Sequence, residues 1–146
     1  MKIYVVNGPN LNFLGIREKK IYGTESYDDL VEFCKTIALQ HGFDVEIFQS
    51  NSEGELIDIL QSAYYNEIDG VVLNAGAYTH YSYAIRDAIA SIQIPTVEVH
   101  LSNILEREDF RKISVIKEVC VASYFGKKFE SYREALEHLV NMKKEK

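Results

Sequence analysis

The chain is short of sulfur, of basic charge and of long apolar runs. Its two cysteines, Cys34 and Cys120, stand outside any CxxC pair, so no disulfide frame can staple the fold. Cys34 falls on an apolar helical stripe and Cys120 in an apolar strand-like run, which reads both as buried thiols away from any reactive loop. No apolar run approaches the ~20 residues that a membrane span requires. Lys and Arg number 16 against 22 Asp and Glu, and a net charge of −6 leaves no basic stripe for nucleic acid or an anionic membrane. An anionic small substrate stays possible, because it needs only a few local arginines. The usual signatures of nucleotide and metal chemistry are missing too. Gly8-Pro9-Asn10 is not a GxGxxG turn, and GxxxxGK(S/T) occurs nowhere. The same turn is poor material for the run of Ser, Thr and Gly that a flavin phosphate would want, and Asn74 stands where a phosphoacceptor module would carry Asp. His80 and His100 have neither HExxH spacing nor a partner cysteine, and no serine sits in a GxSxG elbow. Neither a metal nor a cofactor is expected.

What is present is one ordinary domain of 146 residues, 47% apolar, enough for a full core. Apolar runs at 2–6, 44–49, 70–74, 96–99 and 119–124 read as strands. The chain opens directly on the first of these, which leaves no room for a signal peptide, and a cytoplasmic location is expected. Helical periodicity follows Ser26-x-x-Asp29 and Ser52-x-x-Glu55, recurs over 80–92, and returns after Ser131-x-x-Glu134. Strand and helix alternate five times without a linker. That pattern predicts a flavodoxin-like, doubly wound α/β domain with a five-stranded parallel sheet in the order 2-1-3-4-5. Residues 11–25 carry no clean period and predict a lid loop.

In such a sheet ligands bind beyond the carboxyl ends of the strands. The fourth strand delivers His100, Leu101, Ser102 and Asn103 there, and its period of two puts Glu98 on the face of His100. His100 is then either an oriented acid or base or a satisfied strand-end histidine. The polar residues left for the crevice are Asn10, Arg17, Tyr22, Asn74, His80, Glu98, His100, Ser102, Arg107 and Arg111. They suit proton transfer on a polyhydroxylated anion. Tyr22 is either an aromatic cover or a base; as a base, with a free pKa of ~10, it needs a guanidinium beside it. Arg17 or Arg107 can supply one, unless they merely pair with Glu18, Glu106 or Glu108. Arg107 and Arg111 are predicted on one face of a helical turn over 106–111.

Several segments together resemble the type II 3-dehydroquinate dehydratase family: Asn7-Gly-Pro-Asn-Leu-Asn-x-Leu-Gly15, Arg17-Glu18, Tyr22-Gly23, Gln49-Ser-Asn-Ser-Glu53, Asn74-Ala-Gly-Ala-Tyr-Thr-His80, Arg86-Asp-Ala88, Glu98-Val-His-Leu-Ser-Asn103 and Arg107-Glu-x-Phe-Arg111. The resemblance spans roughly residues 2–114. It implies dehydration of 3-dehydroquinate by anti elimination through an enolate, without metal or cofactor. Tyr22 then matches the base, His100 the acid, Glu98 its orienting carboxylate, and Arg17 and Arg107 the guanidiniums near the tyrosine. Asn10 matches the holder of a water facing the enolate oxygen. Asn74, His80 and Arg111 match binders of the ring hydroxyls, and Leu101 and Ser102 the backbone amides that take the carboxylate. Asp87 matches a residue that completes a neighbouring subunit's site, in a dodecamer of four trimers. The sequence departs from the family at Tyr81, Ala122 and Lys128, the last two standing where glycines are common. The alternative is a non-enzymatic flavodoxin-like binding or signalling module.

Overall fold

The computed structural model describes residues 1–16, 19–22 and 24–145, with the side chains of Lys19 and Tyr22 outside the description. Five parallel strands, β1 (Lys2–Asn7), β2 (Asp44–Gln49), β3 (Gly70–Asn74), β4 (Thr96–His100) and β5 (Ala122–Phe125), form one sheet in the order β2-β1-β3-β4-β5. This is the expected flavodoxin-like arrangement. Every residue of β3 and β4 is buried, as sheet strands covered on both faces must be. Successive side chains alternate between two apolar layers. Ile3, Val5, Val72, Val97 and Val99 meet α2 (Tyr27–His41) and α5 (Phe129–Lys144). Tyr4, Val6, Val71 and Leu73 meet α3 (Glu53–Tyr65) and α4 (Tyr83–Ile92). A four-residue helix, α1 (Lys19–Tyr22), and a 3-10 turn at Leu11–Phe13 lie within the predicted lid segment. Among the described residues, no helix is long and apolar enough to cross a membrane.

The capping signals at Ser26 and Ser52 act as read. Ser26 and Asp29 exchange bonds of 2.9 and 3.1 Å in a capping box, and the Ser52 hydroxyl accepts from the Glu55 N–H at 3.3 Å. Three expectations are corrected. The apolar run from 119 does not start β5: Lys117–Val119 is a 3-10 turn, and pairing begins at Ala122. Residues 106–111 form two 3-10 turns, Ile104–Glu106 and Asp109–Lys112, broken at Arg107 and Glu108. Ser131 does not cap α5, which starts earlier; its hydroxyl lies buried within the helix and accepts from the Lys127 N–H at 3.0 Å.

The residue before α5 is Lys128, at φ 52° and ψ −130°, a backbone conformation that favours glycine. It is held there because its N–H donates to the Leu101 carbonyl at 3.0 Å, tying the start of α5 to the loop after β4. Such strain costs ~1–3 kcal/mol, against ~0.5–1 kcal/mol of extra chain entropy for glycine. Lys128→Gly is expected to raise the unfolding free energy by about 1 kcal/mol. Urea unfolding of the variant checks this, and an unchanged or lower midpoint refutes it.

Candidate active site

At the carboxyl ends of β1, β3 and β4 the chain leaves a cavity of about 190 Å³. After β1 the backbone turns through Asn10, whose φ of 69° is left-handed and which lines the cavity. A clamp from β2 holds this turn. The Asn10 N–H donates to Asn51 Oδ1 at 3.0 Å, Gln49 Nε2 donates to the Gly8 carbonyl at 3.2 Å, and the Tyr78 hydroxyl donates to the Asn51 carbonyl at 2.8 Å.

β3 ends in Asn74, 3% exposed, whose register partner on β1 is Asn7. Asn74 Nδ2 donates to the Tyr132 hydroxyl at 2.9 Å, and that hydroxyl donates to Asn7 Oδ1 at 2.6 Å. Asn74 Oδ1 accepts from the Gly76 N–H at 3.1 Å, so one amide hydrogen remains for the cavity. Tyr132 is fully buried on α5, and burial pushes its phenol well above the ordinary value, leaving it a neutral donor and acceptor. The turn after β3 presents His80. Its Nδ1 bonds the Ile113 carbonyl at 2.8 Å, which leaves Nε2 for the cavity. Desolvation and the charges of His100, Arg111 and Arg107 lower its pKa, so the ring is neutral at neutral pH.

β4 ends in His100, 6% exposed, with Glu98 at 1%. His100 Nε2 lies 2.7 Å from Glu98 Oε2, as the period of two requires. Glu98 also accepts from the Ser114 hydroxyl at 2.7 Å and the Ser123 hydroxyl at 2.8 Å. Burial pushes the Glu98 carboxyl up, but the bond and charge of His100 with the two hydroxyls outweigh it, and the pKa lies below the ordinary 4.5. His100 therefore faces the cavity with a carboxylate behind it.

The cavity is cationic at one wall. Arg107 Nη1 donates to Ser102 Oγ at 3.3 Å. Arg111 pairs with Glu108 at 2.6 Å and stacks 4.8 Å over the Phe110 ring, yet it lines the cavity as well. Leu101 and Ser102 complete this side. Pro9, Leu11 and Leu14 supply an apolar wall.

Asn10, Asn74, His80, His100, Leu101, Ser102, Arg107 and Arg111 are thus brought together, with Glu98 directly behind. Asp87 is not among the cavity's lining; it is exposed on α4. Arg17 and the Tyr22 side chain lie outside the described residues. Ser114, Ser123 and Tyr132 support the site from distant elements, and no motif or spacing in the sequence points to them. Cys120 is nearer than expected, hydrogen-bonded to the Glu98 backbone. Burial and the Glu98 charge push its thiol up to about 12, so it stays protonated. Among the described residues, no group of three or more His, Cys, Asp or Glu side chains could hold a metal ion.

Residues 1–140 match the family described as "Dehydroquinase class II". The chain is 54% identical over 143 residues to a 3-dehydroquinate dehydratase of Lachnospira eligens, covering 97% of each. It is 56% identical over 142 residues to one of Clostridium acetobutylicum, covering 97% of this chain and 98% of the other. A crystal structure of type II dehydroquinase from Butyrivibrio crossotus superimposes with a TM-score of 0.94 at 54% identity, covering 95% of this chain and 97% of that one.

Tyr132→Phe removes a buried hydroxyl shared by two amides, and is expected to lower the unfolding free energy by ~1–3 kcal/mol. A midpoint within error of wild type in urea refutes the hub. Because the Glu98 pKa is lowered on folding, its contribution to stability is full above about pH 4.5 and is lost as pH falls through the lowered value. Glu98→Gln is therefore expected to be less stable than wild type at pH 7 and to lose less stability on acidification. Parallel acid-side slopes in the two proteins refute this.

Proposed function

The chain belongs to the class II dehydroquinase family, and on that premise we propose that it is a lyase that dehydrates 3-dehydroquinate to 3-dehydroshikimate, a step of the shikimate pathway. The observation that carries the chemistry is the buried Glu98–His100 pair facing a cavity walled by Arg107 and Arg111. In the proposed anti elimination Tyr22 takes the C2 proton, leaving an enolate. The C1–O bond then breaks as His100 gives its proton to the departing hydroxyl, and water leaves. Glu98 keeps the imidazole oriented.

Arg17 and Arg107 are assigned to hold the Tyr22 phenolate, which otherwise titrates near ~10. Asn10 is assigned to the water that faces the enolate oxygen, and its clamped left-handed turn suits a fixed donor. The remaining amide hydrogen of Asn74, the free ring nitrogen of His80 and the guanidinium of Arg111 are assigned to the ring hydroxyls. The backbone amides of Leu101 and Ser102 are assigned to the substrate carboxylate. Asp87, exposed on α4, is assigned to complete the site of a neighbouring copy, in trimers assembled into a dodecamer. The proposed location is cytoplasmic, and the substrate is the one small anionic partner. The binding-module alternative is not favoured: a flavin or phosphate loop is missing from the sequence, and the cavity holds acid–base groups instead.

Purified protein is expected to convert 3-dehydroquinate to the enone product, followed by its ultraviolet absorbance, with turnover surviving borohydride. Tyr22→Phe and His100→Ala are each expected to lower kcat by ~10²–10⁴-fold with folding retained. Either variant within tenfold of wild type overturns that residue's role.

A further inference from the structure

We propose that Ser114 and Ser123 are positioning residues of the dehydration, holding the Glu98 carboxylate in the plane that fixes the His100 ring; this rests on the acid role assigned to His100. A carboxylate linked to one imidazole alone can rotate about its last bond and present either oxygen. Here both oxygens are taken. Ser123 Oγ donates to Oε1 at 2.8 Å, while Ser114 Oγ and His100 Nε2 share Oε2, each at 2.7 Å.

The donors come from separate elements. Ser123 stands on β5 opposite Glu98 in the strand register. Ser114 lies in a strap between two 3-10 turns, and the strap is tied at each neighbouring residue. The Val115 N–H donates to the Thr79 carbonyl at 2.9 Å, Arg86 Nη1 donates to the Val115 carbonyl at 2.7 Å, and the Ile113 carbonyl meets His80 Nδ1 at 2.8 Å. One three-residue strap therefore fixes both imidazoles of the cavity, His80 through a carbonyl and His100 through Glu98.

The chemical type of the donors matters as much as their place. A lysine or arginine here would neutralise the carboxylate and compete with the imidazolium. Hydroxyls satisfy the buried oxygens without adding charge, so the whole negative charge faces His100. Simple satisfaction of a buried acid would predict lost stability alone. Positioning predicts a loss in kcat that returns with the hydroxyl.

The test uses the full chain with Ser114→Ala, Ser123→Ala, both together, and Ser123→Thr, each checked for folding. Two readouts are taken: kcat and KM with 3-dehydroquinate, and the downfield N–H proton of ¹⁵N-labelled His100 without substrate. Each alanine variant is expected to lose about tenfold in kcat and the double about 100-fold, with KM within about twofold. Ser123→Thr is expected to recover most of the loss, and the His100 signal to broaden only in the alanine variants. Alanine variants with wild-type kcat, a loss confined to KM, or a threonine variant as poor as alanine overturns the proposal. A wild type inert toward 3-dehydroquinate, whose His100 signal still fails in the double variant, overturns the reaction and upholds the hold on the pair. An unchanged signal in an active double variant overturns the hold and upholds the reaction.

Discussion

A carboxylate that is 1% exposed in the middle of a parallel sheet is the constraint on which the rest of this structure depends. An uncompensated buried charge of that kind costs several kcal/mol, so Glu98 tolerates only a fold that supplies its donors. Those donors tie together β4, β5 and the strap at 113–115. The pairing Glu98↔Ser123 also fixes the register of β5. A slip of one residue would turn Ser123 to the other face and set Ala122 or Tyr124 opposite the acid. The short edge strand is thus held in place by the same bonds that orient His100.

A second polar layer lies beneath the first. Parallel pairing of β1 and β3 sets Asn7 beside Asn74, and the Tyr132 hydroxyl from α5 joins them. Strand ends in an α/β sheet expose backbone and side-chain polar groups where the apolar layers stop, and buried ones must find partners. Here the partner is a helix none of whose residues lines the cavity. Lys128 strengthens the same link, since its strained backbone donates to the Leu101 carbonyl next to His100. Together these bonds transmit the packing of α5 to the loops that would hold the substrate.

The parts of this design that were legible in the sequence are local. Gly70–Asn74 reads as a covered strand from its unbroken apolar run and 96–99 as a short strand entered through Pro95, and Ser26 and Ser52 announce their helices through bonds three residues away. Glu98 and His100 could be paired from the alternation of one strand. What failed was set by distant contacts. Val119 and Cys120 look like strand, but their neighbourhood packs as a 3-10 turn against the α3–α4 layer. Ser131 has the spacing of a cap, yet its hydroxyl turns inward to the Lys127 N–H. Ser114 and Ser123 sit 16 and 25 residues from the acid they serve, and nothing periodic connects them to it. The resemblance reached as far back as Glu98 and was silent on Ser114 and Ser123 behind it.

The overall charge of −6 and the cationic cavity wall are reconciled by distance. At physiological ionic strength fields decay over about 8 Å, so the acidic surface is largely screened from an approaching anion. Inside the cavity the spacing is shorter than that length. A carboxylate about 4 Å from a guanidinium gains on the order of 4 kcal/mol at an effective dielectric of about 20. Arg107 and Arg111 therefore outweigh the mean charge once an anion has entered. Glu98 stays out of this balance because it faces away, with its charge committed to His100. A neutral His80 adds no third cation to Arg107 and Arg111. Glu98 lies behind the cavity wall, and the His100 imidazole stands between its charge and any anion drawn in by the two guanidiniums.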